Sequence, residues 1–272
     1  MDQDLKLEIL TDIWTLRNWE LVALTHTKLG TSITLETQDP SHPHWTIISR
    51  GRVSLALNPT WTEAWRQGGI PTYTDGNEQA CRMMLVQTPC FQRLGLAILV
   101  VYAPSSNSTS EDIQQFHNNI ESLLDGVNPR HTLILTGDFN SEIGTRQADT
   151  DTVLGPHGPT HRNARGQQLL SFCQEHNLTV ANTWTAQHNK TTWWHPRWGS
   201  GHLLDYFLVP HAHIGNVHKV LTLHPDIAWD AQLTDWTTYT DHNPVELTLQ
   251  MAPPKGAHSR RNIPQKPAIH KG

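Results

Sequence analysis

"LILTGDFNSEIG", residues 133 to 144, runs a short apolar strand into Gly-Asp-Phe-Asn and sets a carboxylate and a carboxamide two residues apart. In extended chain alternate side chains share a face, so Asp138 and Asn140 would project together from the carboxyl end of a strand, an arrangement suited to a metal ion or a phosphate. Gly, Asp and Asn are also turn residues, and on the tetrapeptide alone the turn is the stronger reading. The flanking sequence has to decide.

Outward from that stretch, short apolar runs recur. "LGLAILVVYA" (94–103) is too short to span a bilayer and reads as a buried strand. "WELVAL" (19–24), "VSLAL" (53–57), "CRMMLVQ" (81–87), "HTLILTG" (131–137), "TVANT" (179–183), "LLDYFLV" (203–209) and "PVELTLQM" (244–251) are further strands. Helical spacing marks residues 5–18, through Leu5, Ile9, Ile13 and Leu16, then 111–127, closed by Gly126, and 167–178. Strands and helices mixed along one chain, with polar residues gathered just after strands, describe an α/β enzyme rather than a helical or all-β binding module.

With 272 residues, 37% hydrophobic and 17% charged, the chain can bury one large core and is not broadly disordered. Its opening, "MDQDLKLEIL", carries acids where a signal peptide needs basic residues and an apolar run, so an intracellular protein is expected. Cys81, Cys90 and Cys173 form no CxxC pair and fit a reduced compartment. Among the 18 histidines, His42/His44 and His211/His213 lack a thiolate or HExxH partner and read as solvated loop residues. Most of the 11 tryptophans should pack internally, with an exposed subset expected on "WHPRWGSGH" (194–202). Composition breaks at Pro253. Residues 253–272 hold five Lys or Arg and no Asp or Glu, which predicts a domain over 1–252 followed by a basic, proline-rich tail or linker. The acidic body argues against a general basic groove for DNA and suits a site that gathers divalent cations.

Four stretches place reactive groups at the ends of apolar strands: "VVYAP" with Tyr102, "LTGDFN" with Asp138 and Asn140, "LLDYFLV" with Asp205, and "YTDHNPVEL" with Asp241 and His242. Taken in this order they resemble the endonuclease/exonuclease/phosphatase superfamily of deoxyribonuclease I-like enzymes. "HRNARGQQLLSFCQEHNLTVANT" and "TTWWHPRWGSGHLLDYFLV" are similar to endonuclease domains of non-LTR (LINE-type) retrotransposons and craniofacial-development-protein-2-like relatives. The resemblance covers about residues 5 to 250.

It implies a four-layer α/β sandwich, two packed mixed sheets flanked by helices, with the site at one end. It also implies phosphodiester hydrolysis of DNA assisted by Mg²⁺, with Mn²⁺ an alternative; carboxylates and an amide are suitable ligands for such ions. Carried over, Asp138 aligns the attacking water, and Asn140 and Tyr102 contact the phosphate. Asp241 helps hold metal, His242 contacts the phosphate, and Asp205 orients His242. Trp194 and Arg197 are candidate substrate contacts. Two departures stand out. His26 occupies the place of the family's metal-binding glutamate within "LVALTHTKLG", which removes a charge and shifts metal preference toward Mn²⁺ or Zn²⁺. The family's first strand is expected to be missing. Together they predict an impaired nuclease of retroelement origin, acting in the nucleus, with no membrane partner and without the reverse transcriptase that follows in relatives. A phosphatase of small or lipid phosphates, and an inactive nucleic-acid-binding or interaction module, are the competing readings.

Overall fold

The structure, a computed structural model, describes residues 3–27, 33–36, 44–76, 81–91, 94–187, 190–223 and 242–250. Within these the chain opens with α1 (Gln3–Leu16), β1 (Leu21–Thr25), β2 (Ile33–Glu36), β3 (Thr46–Arg50), β4 (Val53–Leu57) and α2 (Pro59–Gln67). It continues through β5 (Thr72–Thr74), β6 (Met83–Phe91), β7 (Leu94–Tyr102), α3 (Ser110–Asp125), β8 (His131–Asp138), α4 (Ala164–Glu175) and β9 (Leu178–Val180). β10 (Trp193–Trp194), β11 (Gly201–His202), β12 (Asp205–Pro210), β13 (Val217–Thr222) and β14 (Val245–Leu249) complete it. Asp241 and the 253–272 tail lie outside the described residues.

A six-stranded sheet runs β5-β6-β7-β8-β12-β9, and a four-stranded sheet runs β1-β4-β3-β2. Period-two alternation builds the layers. Met84, Val86, Leu96, Ile98 and Val100 point from the larger sheet onto Ile48, Val53, Leu55 and Leu57 of the smaller one. Their alternates Met83, Leu85, Ala97, Leu99 and Val101 point the other way, onto Phe116 and Ile120 of α3 and Leu169, Leu170 and Phe172 of α4. On the outer face of the smaller sheet, Trp14 of α1 packs with Trp45, Ile47 and Ala56. Helix, sheet, sheet, helix is the expected four-layer sandwich. The central strands are apolar on both faces because both are covered, which is why "LGLAILVVYA" reads as an uninterrupted run.

Two corrections apply to the expected elements. "TVANT" is strand only to Val180; Ala181–Thr183 wind into a 3-10 turn that frees the Asn182 side chain for other partners. α2 and the strands β2, β3, β5 and β13 lie outside the expected elements; Asn58 caps α2 by accepting from Trp61 N and Pro59 opens it, while Trp61, Ala64 and Trp65 are buried at helical spacing. The tryptophans divide as expected, with Trp14, Trp45, Trp61 and Trp65 buried and Trp194 and Trp198 exposed.

The sheets are not continuous. β1 ladders only with β4, and β14 only with β13. Both strands border one cavity of about 680 Å³, floored by Leu55, Leu96, Ile98 and Ile134 and reaching Asp205 and His242. The Trp19 indole donates to Glu246 Oε2 at 2.8 Å beside it. Among the described residues no strand joins these two edges.

Candidate functional site

β7 and β8 run parallel and in register from Gly95/His131 to Tyr102/Asp138, so the two chains end side by side. Ala103 N donates to the Asp138 carbonyl at 2.8 Å. Such close approach requires Gly137: its φ is +141°, and a Cβ there would sit 1.9 Å from the Val101 carbonyl oxygen. Beyond Asp138 the strand stops. Asn140 adopts φ +46°, its backbone N–H donates to Asp138 Oδ1 at 2.8 Å, and its side-chain amide donates to the Ala103 carbonyl at 3.0 Å. The turn reading is therefore correct for Asn140, whose side chain is placed by an Asx-type turn rather than by strand alternation.

Asp205 opens β12 directly opposite Asp138 in the antiparallel ladder. Its backbone is held from two sides. Thr192 Oγ1 accepts from Leu204 N at 2.9 Å and Asp205 N at 3.1 Å. Asn182 donates to the Asp205 carbonyl at 3.2 Å and accepts from Phe207 N at 2.8 Å. The Asp205 Oδ2 lies 2.9 Å from His242 Nδ1, while His242 Nε2 lies 3.9 Å from Asp138 Oδ2. An ionised carboxylate only accepts, so the Nδ1 carries a proton and the ring's other nitrogen is aimed at Asp138. His242 is fixed by a β-bridge to Trp193, and Asn243 N donates to the Thr192 carbonyl at 2.7 Å. Asp138, Asn140, Asp205, His242 and Tyr102 thus share one end of the sandwich.

Tyr102 is partnered by His26 and Arg82. The His26 ring stacks on it at 5.4 Å with 10° between planes, from a backbone at φ +55°. The Arg82 guanidinium lies 5.3 Å from the same ring centroid and donates at 3.4 Å to the Tyr102 and Ala103 carbonyls. Glu20, just before β1, accepts from the Trp61 indole at 3.0 Å. Trp194 and Arg197 are exposed on the β10–β11 hairpin, Trp194 on the strand whose Trp193 bridges His242 and Arg197 in the turn beyond it. Arg82, Asn182 and Thr192 were not among the sequence candidates. A lone arginine before a strand, or a threonine in a polar loop, carries no signal until the partner strand is known.

The Arg-Asn-x-x-Gly motif braces the loop after Asn140. Arg162 donates to the Ile143 and Thr145 carbonyls and pairs with Asp151 at 2.8 Å. Burial alone would raise the Asp151 carboxyl, but hydrogen bonds from Arg162 and from backbone amides hold it below the usual carboxylate range. Asn163 caps α4, accepting from Gly166 N at 2.7 Å and Glu142 N at 3.3 Å. At Gly166 a Cβ would lie 1.8 Å from the Glu142 carbonyl oxygen, so no other residue fits. The buried Tyr206 hydroxyl ties in the same loop, donating to the Leu203 carbonyl at 2.6 Å with the Ser141 carbonyl oxygen at 3.0 Å, and accepting from Ile143 N; burial pushes its pKa up.

Asp138 and Asp205 supply carboxylate oxygens, and Asn140, its NH₂ turned to Ala103, presents an amide oxygen. That donor chemistry fits a small divalent ion that keeps several waters and binds through one or two carboxylates, whereas His26 adds no anionic oxygen. A separate group, Glu121, Glu175 and His176, brings three donor atoms within 4.8 Å of one another. It lies toward the far ends of α3 and α4, away from Asp138.

This fold is of the nuclease/phosphodiesterase type, a member of the endonuclease/exonuclease/phosphatase superfamily. Residues 96–246 match the model of the family described as endonuclease-reverse transcriptase (Exo_endo_phos_2), and the chain belongs to that family. It is 25% identical over 142 residues to craniofacial development protein 2 of Tragulus javanicus, covering 46% of this chain and only 24% of that protein. Among solved structures, the 3′ phosphatase NExo from Neisseria, bound to a product DNA hairpin, superposes with a TM-score of 0.58 at 15% identity, covering 90% of this chain and 94% of that one. The endonuclease domain of TRAS1, a telomere-specific non-LTR retrotransposon, gives 0.55 at 12% identity, over 92% and 94% of the two chains. At such identities the structural matches speak for the fold. No helix among the described residues is long and apolar enough to cross a membrane.

Proposed function

We propose that the chain is a divalent-metal-assisted phosphodiesterase that nicks DNA, of retrotransposon endonuclease type, with activity lowered by His26. The observation that carries this reading is the Asp205–His242–Asp138 line, with separations of 2.9 and 3.9 Å, at the strand end shared with Tyr102 and Asn140. Asp138 takes the proton of an attacking water, and Asp205 holds the His242 ring toward the phosphoryl oxygens. Tyr102 donates to the phosphate, Asn140, through its amide oxygen, positions a metal-bound water, and Trp194 and Arg197 contact flanking substrate. Asp138 and Asp241 would help hold an Mg²⁺ or Mn²⁺ ion, which would supply polarisation of the phosphoryl group. DNA as substrate is supported by the DNA hairpin in the NExo structure and by TRAS1 being a retrotransposon endonuclease, and the nucleus is then the place of action.

The test is nicking of supercoiled plasmid with Mg²⁺ or Mn²⁺. The unmodified chain is expected to nick slowly, and Asp138→Ala to abolish what remains. His26→Glu is expected to raise the rate by about 10-fold or more, since disturbing even the partners of metal ligands costs about 10 to 100-fold. Brisk magnesium-dependent nicking by the unmodified chain would show that His26 costs nothing. Cleavage unchanged by Asp138→Ala would remove the proposed site altogether.

A further inference from the structure

The nuclease reading leaves a second histidine–carboxylate pair unused. Glu142, in the loop after Asn140, has only 18% of its side chain exposed, and its Oε1 lies 2.8 Å from His202 Nδ1. His202 Nε2 in turn lies 2.9 Å from the Ser200 hydroxyl. The proton assignment follows from donor chemistry. An ionised carboxylate can only accept, so Nδ1 carries the hydrogen; Nε2 of the neutral ring is then an acceptor, and the Ser200 O–H is its donor.

The three groups come from two elements, the loop after Asn140 and the β10–β11 hairpin. Glu142 is anchored through its backbone, which gives and takes hydrogen bonds with Asn163, and its other oxygen faces Asn163 Nδ2 and His161 Nε2, each at 3.4 Å. His202 is laddered to Trp193 in the hairpin, with the two rings 5.4 Å apart. Ser200 ends the hairpin turn, where His195 N donates to its carbonyl at 2.8 Å and Gly199 takes φ +62°. At the adjacent Gly201 the Thr191 side chain approaches closely, within 2.6 Å of where a Cβ would sit. Ser200 itself is exposed, so a reagent can reach it.

We propose that Ser200, His202 and Glu142 form a nucleophilic site distinct from the nuclease centre, which accepts acyl or phosphonyl groups from compounds with a good leaving group. In the step, Ser200 Oγ forms a bond to the carbonyl carbon or phosphorus, the bond to the leaving group breaks with its electron pair, and the hydroxyl proton passes to His202 Nε2. Glu142 is the positioning residue, holding the ring in the tautomer that can accept.

The experiment uses the full chain in EDTA, so its outcome is independent of metal and of DNA cleavage. The probe is an alkyl fluorophosphonate, which loses fluoride on reaction, and the adduct is located by peptide mass spectrometry. One adduct on Ser200 is expected, absent in Ser200→Ala. His202→Gly is expected to slow labelling about 100-fold, the lower end of what a positioned base supplies, with partial rescue by added imidazole. Glu142→Gln should slow it less, and Glu142→Asp should recover part of the loss. Circular dichroism checks that each variant is folded. If His202→Gly fails to fold, the comparison of Glu142→Gln with Glu142→Asp decides. No adduct, an adduct on another serine, or equal rates with and without His202 or Glu142 would overturn the proposal and leave Ser200 an ordinary exposed hydroxyl.

Discussion

At the scale of single residues, the candidate site depends on groups that never touch a substrate. Asn182 satisfies the Asp205 carbonyl and the Phe207 amide with one side chain, so Asn182→Ala should cost about 1–3 kcal/mol in urea denaturation and lower nicking by letting Asp205 shift. Gly137→Ala should cost about 3 kcal/mol, because the new methyl collides with backbone rather than with a movable side chain. These residues also mark what sequence can disclose. "GDFN" reveals its chemistry because all its atoms are local, and the +46° turn at Asn140 is ordinary turn behaviour of Gly, Asp and Asn. Asn182, Thr192 and Arg82 act on strands that are distant in sequence, so no local pattern announces them.

At the scale of elements, the apolar strands were legible because burial on both faces leaves no polar interruption, while short pieces such as β10 and β11 offered too few residues for any period. The Arg-Asn-x-x-Gly motif was legible as a resemblance, and the structure supplies its physics: one asparagine both starts α4 and fastens the loop leading from Asn140. Asn163→Ala should therefore cost more than the roughly 1 kcal/mol of an ordinary cap, since the Glu142 amide loses its partner too. Asn163→Asp retains an acceptor oxygen but puts a carboxylate where the Nδ2 donor faces Glu142 Oε2, so it should recover only part of that loss. Thermal melting of the three proteins side by side checks the order. Gly166→Ala is expected to be worse than either alternative, and failure of that ranking would mean the loop can move away from α4.

At the scale of the whole molecule, His117 links pH to stability. Burial lowers its pKa below the ordinary 6.5, with Glu121 opposing the shift and His176 adding to it. A histidine whose folded pKa is depressed contributes fully above the unfolded value, and that contribution is lost as pH falls through 6.5 toward the folded pKa. Midpoints of denaturation should therefore fall between pH 7 and pH 5, and His117→Gln should flatten the decline over that window. The broken ladder between β1 and β14 has a different consequence, one of time rather than of energy. Alternate amides of β1 face β4, and the others face the cavity, where no strand among the described residues pairs them. In deuterated solvent those alternate amides should exchange early, while the amides shared by β7 and β8 persist until the protein opens globally. The sandwich would then keep two clocks, a fast one along its split seam and a slow one through the strands that carry Tyr102 and Asp138.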